Sequence, residues 1–452
     1  MKGILKYTLL LAGIATGATM VSCSDETPAQ KDKGATPVVK YVRPADIEHS
    51  DSLITAASLG QKIVFVGENL GDVQQIWFND KKSKLNPTMV TSHTIICDIP
   101  NSIPGEVTNI ARIITGTGIE IEYPFQVVVP APSIKDVNCE YAPAGSLMTI
   151  NGAYFADDPN VPITVKIAGV DAPIKELTET RLVVEVPEGA QEGPVNVTSI
   201  YGSTDSKFHY MDTRGMLFDF DPDGITGLGT GQSWHARPVV EDEHSISGAY
   251  MVIGNADVPL SAGGDWNDSD YSFEYWAGAW TDPVSYPERV GERLYDVADF
   301  SDFNNKSIKF ELMIPSSNPW QAGAMHVLFT PLSMVSFGAE GVDVFGNQVA
   351  GCTNVFFHTS ADGGYDMARY LWVPWTDSQA YDTADQWITV TMPISDFKFN
   401  ADGTGASRML GDITDFANFD IFVWGGDAGG AAPTGVACSP LFYIDNIRVV
   451  AN

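Results

Sequence analysis

Nine of the ten tryptophans of this chain lie between residues 212 and 452, and they are the side chains there best suited to hold a ligand. An indole offers a flat apolar face and one polar edge, and the axial C–H bonds of a pyranose ring form a patch of matching shape. Stacking removes both surfaces from water. At roughly 100 Å² per ring pair and ~25 cal/mol per Å², each contact gains about 2–3 kcal/mol. Three such contacts, set against ~4–15 kcal/mol for association, give millimolar to micromolar binding.

The competing use of every one of these rings is core packing, and the local sequence separates the two uses. Trp280 precedes Thr281-Asp282-Pro283 and Trp320 follows Ser316-Ser317-Asn318-Pro319, so both read as loop residues open to solvent. Tyr370 and Trp372 share one strand face, opposite Arg369 and Leu371, and Trp375 follows Pro374 into a loop. Trp234, Trp266 and Trp276 sit among Gly, Ser, Asn and Asp. Trp387 opens the alternating run to Pro393 and Trp424 closes an apolar run, so these two read mainly as core. The expected sugar-contacting set is Trp276, Trp280, Trp320, Tyr370, Trp372 and Trp375.

Charge narrows the ligand. The chain carries a formal −31, and residues 212–452 hold 33 Asp+Glu against 10 Lys+Arg, which accounts for −23 of it. Such a surface repels phosphate backbones, so nucleic acid is excluded, and anionic polysaccharides are disfavoured. Glycosidic hydrolysis would need two carboxyls about 5–5.5 or 6.5–9.5 Å apart. Among so many acids some pair meets that by chance; Glu274, beside Tyr275-Trp276, is the most tempting acid. Gly-x-Ser-x-Gly is absent and no His is placed as an obvious base. A glycoside hydrolase is therefore the second reading. A structural adhesin that docks a protein partner through its tryptophans is the third.

Asp219-Phe220-Asp221-Pro222-Asp223-Gly224 mimics the start of a calcium loop, but Thr230 stands where a bidentate Glu is required, so it reads as a turn. Asp265, Asn267, Asp268 and Asp270 make a second oxygen-rich loop. No cofactor is expected, and a structural calcium stays open. No CxxC or Cys/His cluster suggests zinc. Cys97 and Cys139 alternate with apolar residues and read as buried thiols, and a Cys352–Cys438 pairing stays open.

The elements that must position these residues are strands. Tyr250–Gly254, Ser307–Ile314, His326–Phe329, Tyr370–Pro374, Trp387–Pro393, Asp420–Trp424 and Phe442–Val450 are apolar or alternating, and Gly, Pro, Asn or Asp flank most of them. Connections between several are long enough to be binding loops. Residues 212–452 thus read as a jelly-roll-like β-sandwich.

Two shorter units precede it. Gly60-Gln-Lys-Ile-Val-Phe-Val-Gly67 and Gly145-Ser-Leu-Met-Thr-Ile-Asn-Gly152 each run to a second landmark, Thr94–Pro100 and Arg181–Pro187, giving a period of about 86 residues. Each has the short strands and turns of a small β-sandwich, which assigns 37–129 and 130–211 as two repeats. The fold class is all-β throughout.

The first residues are a targeting segment. Lys2 and Lys6 precede an apolar run from Tyr7 to Val21 that ends in Met20-Val21-Ser22-Cys23. Residues 1–22 read as a signal peptide and Cys23 as a lipid-modified first residue. A membrane helix fits less well, because Gly13, Thr16, Gly17 and Thr19 interrupt a run already short for a span. Residues 23–36, opening with Ser24-Asp25-Glu26, read as a polar tether that lets the body swivel.

The two repeats resemble IPT/TIG domains, an immunoglobulin-like family whose tandem copies in secreted bacterial proteins act as spacers. The order of signal, lipid Cys, two such modules and a Trp-rich β domain resembles Bacteroidota surface glycan-binding proteins. The last domain is similar to their xyloglucan-binding type, on Gly263-Gly264-Asp265-Trp266-Asn267-Asp268, Phe273-Glu274-Tyr275-Trp276, Asn318-Pro319-Trp320, Arg369–Trp375 and Phe442–Ile447. The resemblance implies non-catalytic capture of a polysaccharide at the outer-membrane surface. It implies as partners a glycan importer and surface glycosidases of one polysaccharide-utilisation system. With the acidic charge, it points to a neutral β-linked chain, xyloglucan or mixed-linkage β-glucan first.

Overall fold

The structure is a computed structural model and describes residues 26–49, 51–229, 236–264, 267–277, 291–332, 341–342, 348–349, 367–425 and 432–452. Among the described residues no helix is long and apolar enough to cross a membrane. The chain divides into two compact units, Met1–Val129 and Pro130–Asn452.

In the first unit, Val38–Pro44, Lys62–Glu68 and Thr94–Asp98 form one sheet. Lys81–Lys82, Val73–Phe78, Ile110–Thr115 and Glu120–Pro124 form another. Period-two alternation turns Ala111, Ile113 and Thr115 inward from Ile110–Thr115. Phe65, Phe78 and Phe125 meet at the centre of the sandwich. Cys97 is buried here, as is Cys139 in the second repeat.

The second repeat has the same build. Ser133–Val137, Leu147–Ala153, Arg181–Glu185 and Ile174–Leu177 form one sheet, and Val170–Asp171, Thr164–Ile167, Gly193–Ser199 and Gly202–Tyr210 the other. The paired glycines have a physical cause. Gly60 and Gly145 turn with φ of +74° and +80°, a conformation that costs glycine little. Gly67 and Gly152 are needed for space instead. A Cβ there would sit 1.9 Å from Val38 O and 2.0 Å from Ser133 O, where the first strand of each repeat shifts register.

The terminal domain packs two sheets face to face. One runs Val239–Val240, Tyr250–Ile253, Phe442–Ala451, Lys306–Met313, Ile388–Pro393, with Met216–Phe218 also paired to Phe442–Ala451. The other runs Ser272–Tyr275, Asn418–Trp424, Ala324–Thr330, Arg369–Trp372. Phe218, Phe273, Phe310, Leu312, Val327, Phe419, Ile421 and Ile444 fill the space between them.

The second repeat and this domain are joined by buried charge. Arg448 donates from Nη2 to Glu140 Oε2 at 2.6 Å and from Nη1 to Glu311 Oε2 at 2.7 Å, and Lys309 Nζ donates to the other Glu140 oxygen. Burial alone would loosen the guanidinium's proton, but the carboxylates of Glu311 and Glu140 more than reverse that. Thr389 Oγ1 donates to Glu311 and accepts from the Glu140 amide, while the Thr389 amide bonds Asn138 O. Trp387 and Ile246 pack against the core of the repeat. The expectation for Trp387 was core of its own domain; it serves as a wedge between two domains.

One expectation fails at the other end of the chain. Residues 23–36 were to be a free tether, yet from Thr27 the chain is folded. Pro28–Lys31 is a helical turn capped by Thr27 and Gln30, and Asp32 is buried against Gly71.

Candidate glycan-binding site

The edge strand Arg369–Trp372 carries the described aromatic rim. It pairs with Ala324–Thr330 in a register that places Tyr370 opposite Val327 and Trp372 opposite Met325, so both rings point to the core side. Because the strand is at the sheet edge, the core cannot close over them and both are half-buried. Trp372 meets Trp320 and Tyr381 edge to face, each at 5.7 Å between ring centres, and Tyr370 leans on Phe397. Burial first, then nearby carboxylates, holds the Tyr370 and Tyr381 hydroxyls protonated above the usual phenol range. These groups therefore offer hydroxyls as donors, not phenolate. Gln321 Nε2 donates to Gln379 O at 3.4 Å, Asp377 and Gln379 are exposed, and Asp382 follows Tyr381 in sequence.

Three residues expected at the surface are inside. Trp320 is 0% exposed. Its backbone pairs with Tyr381 in both directions, its ring packs on Phe442, and its Nε1 donates to Ala322 O. Trp375 is buried and donates to Gly323 O at 2.7 Å, and Trp276 is buried beside Leu332 O. The Asn-Pro and Pro-Trp turns were read as solvent-exposed; instead they fold back over the sandwich edge, so their indoles plug it while backbone carbonyls satisfy each N–H. Trp424, which the sequence reads mainly as core, is buried. Trp280, Trp234, Trp266, Cys352 and Cys23 lie outside the described residues.

Sequence reasoning missed Tyr381, which no strand pattern marks. It also missed the opposite face of the same sheet. There Glu274 lies opposite Asp420, Asp420 opposite Leu328, and Leu328 opposite Arg369, one row across four strands. Glu274, Asp420 and Arg369 are all buried. In the next row His326 stacks on Phe422 at 4.8 Å, donates from Nε2 to Trp424 O and presents Nδ1 to Arg369 Nη1 at 3.5 Å. Burial first, and the adjacent guanidinium second, keep this imidazole neutral. Burial first, and Glu274 second, hold Asp420 protonated far above the usual carboxylate range, against the pull of Arg369. One signal was available: Asp420 interrupts the apolar run Phe419–Trp424, and an acid in a strand buried on both faces needs partners. Glu274, the tempting catalytic acid, thus belongs to a carboxyl pair shut away from water, where a substrate has no access.

The oxygen-rich loops serve the backbone. Asp219 Oδ2 accepts from the Ile225 amide and Asp221 Oδ1 from the Ala249 amide, while Asn267 caps the turn Asp268–Tyr271. Glu192, His209 and Asp212 lie close together, but Arg214 grips both Asp212 oxygens and Thr213 holds Glu192.

Comparison with known proteins agrees with this architecture. Residues 210–451 match the family described as surface glycan-binding protein B xyloglucan binding domain, and residues 132–213 match the IPT/TIG domain. The crystal structure of surface glycan-binding protein PbSGBP-B from Prevotella bryantii is 43% identical. The similarity covers 92% of this chain and 99% of that one, with a TM-score of 0.82. An IPT/TIG domain-containing protein from Bacteroides ovatus is 34% identical over 166 residues, 34% of this chain. This chain spans about a third of that relative's length, 33%. A two-sheet domain with an aromatic edge, carried on IPT/TIG sandwiches, places this chain in the surface glycan-binding protein B family, whose members bind carbohydrate without cleaving it.

Proposed function

We propose that this protein captures a neutral β-linked plant polysaccharide, xyloglucan or mixed-linkage β-glucan first, at the outer-membrane surface of its cell. The observation that carries the reading is the partly exposed pair Tyr370 and Trp372 at a sheet edge of a strongly acidic domain. The rings supply stacking surface, and the surrounding acids and amides bond hydroxyls while repelling polyanions. The family description, a xyloglucan binding domain, supports the same class. Lipidation at Cys23 supplies the anchor, and the short acidic run Ser24-Asp25-Glu26 resembles the surface-export signal of Bacteroidota lipoproteins. Weak contacts repeated along a polymer suffice once the protein is fixed to a membrane. In this reading the captured chain passes to surface glycosidases and an outer-membrane importer of the same system.

Affinity electrophoresis through gels of neutral and anionic polysaccharides tests the ligand class. Retardation by β-glucans and xyloglucan but not by pectate or alginate is expected, and retention by anionic gels alone would overturn it. Incorporation of labelled palmitate, lost in Cys23→Ala, tests the anchor.

A further inference from the structure

The segment after the anchor is fastened to the first domain at several points. Thr27 and Gln30 bond each other's backbone amides across the turn Pro28–Lys31. Asp32 is 4% exposed, and its Oδ2 accepts the Gly71 amide at 2.8 Å. Gly71 leaves room for nothing else: a Cβ there would lie 2.3 Å from Pro28 O and 2.7 Å from Asp32 Oδ2. Further along, Asn69 Nδ2 donates to Thr36 O at 3.2 Å. Thr27, Pro28 and Ala29 wall one side of a 560 Å³ cavity whose other side includes Gly71, Leu85 and Pro87.

We propose that residues 27–36 are a docked strap, and that the side of the first domain around Gly71, Leu85 and Pro87 lies against the lipid headgroups. The inference rests on the lipidation of Cys23 proposed above. Residues 24–26 alone then separate the anchor from the strap, a reach of at most ~14 Å, whereas a free run to Pro37 would reach ~45–50 Å. The charge distribution fits. Residues 26–129 carry nine Lys+Arg and 12 Asp+Glu, and Lys31, Lys33 and Lys84 are exposed on or beside the strap. An anionic headgroup layer repels this domain far less than it repels the terminal one.

Two measurements on the full mature protein test it. Trypsin can cut after Lys31 and Lys33, and the shortened N-terminus is read by mass spectrometry. With Cys23→Ser, which needs no membrane, cleavage at these sites is slow and rises at least tenfold on adding Asp32→Ala, with Gly71→Ala as the second releasing variant. Equal, rapid cleavage in all three overturns the strap whatever the state of Cys23. The lipidated protein is then placed in phosphatidylethanolamine–phosphatidylglycerol vesicles. Amide exchange across residues 84–90 is expected to slow at least threefold relative to the Cys23→Ser protein, and Asp32→Ala to reverse this. Unchanged exchange on protein that floats with vesicles overturns the membrane-facing side alone. Protein that never floats overturns both that side and the anchor.

Discussion

Removing Glu140 tests whether the second repeat and the terminal domain hold together through charge. Glu140 accepts from Arg448 and Lys309, and both it and Arg448 are buried. Glu140→Ala leaves the fully buried Arg448 facing Glu311 alone and the partly exposed Lys309 without its carboxylate. Removing one member of a buried ion pair typically costs about 3–5 kcal/mol. For a unit of ~320 residues, an unfolding entropy of ~2.1 cal/mol/K per residue gives roughly 0.7 kcal/mol per degree, so Tm should fall by about 4–7 °C. Differential scanning calorimetry reads this directly. Glu68→Ala, which removes an exposed pair with Lys40, is the control and should not shift the transition measurably. The double mutant with Arg448→Met should recover ~0.5–3 kcal/mol as coupling. A shift for Glu140→Ala no larger than the control, with additive double mutants, would refute the reasoning.

Asp445 is fully buried, and burial, only partly opposed by hydrogen bonds from Ser247 and the Asn446 amide, pushes its carboxyl up to about 8. A carboxyl raised on folding stabilises most below its unfolded value of ~3.9 and loses that contribution as pH climbs through the folded value. Tm should therefore decline between about pH 4 and 8 more steeply in the wild type than in Asp445→Asn, and parallel melting profiles would contradict this. Trp372→Ala should weaken glycan retention by the ~2–3 kcal/mol of one stacked ring while the fold survives, as gel retardation and circular dichroism would report. Trp320→Ala, by contrast, should cost ~3–5 kcal/mol of stability and lower binding only as the fraction unfolded rises. Gly67→Ala and Gly152→Ala should each destabilise their own repeat, read by denaturant midpoint, and no shift at either would mean the first strand can yield.

What the sequence made legible follows the range of each interaction. Strands were readable because alternation is local: Trp387–Pro393 and Phe442–Val450 coincide closely with Ile388–Pro393 and Phe442–Ala451. The glycine repeat was readable because a left-handed turn and a close carbonyl each demand glycine at fixed spacing. Exposure of single indoles was not. Whether Trp320 faces water depends on Tyr381 and Phe442, far away in sequence, and no neighbour-based rule reports them. The same holds for Glu274, whose neighbour Asp420 comes from another strand. The tether was misread because its polar composition is ordinary for a linker; one buried carboxylate, Asp32, changes its character.

The central place of the strand Phe442–Ala451 governs how its sheet can form. The strand is flanked by Tyr250–Ile253 and Lys306–Met313 and also receives Met216–Phe218, so the middle of the sheet is supplied by a strand more than a hundred residues away in sequence from each of these neighbours. Every pairing to it closes a long loop, and that entropy must be met before any reward arrives. Segments adjacent in sequence therefore cannot complete this sheet piecemeal. The sheet closes only when Phe442–Ala451 is in place, and deleting that strand would leave Tyr250–Ile253, Lys306–Met313 and Met216–Phe218 each without their shared partner.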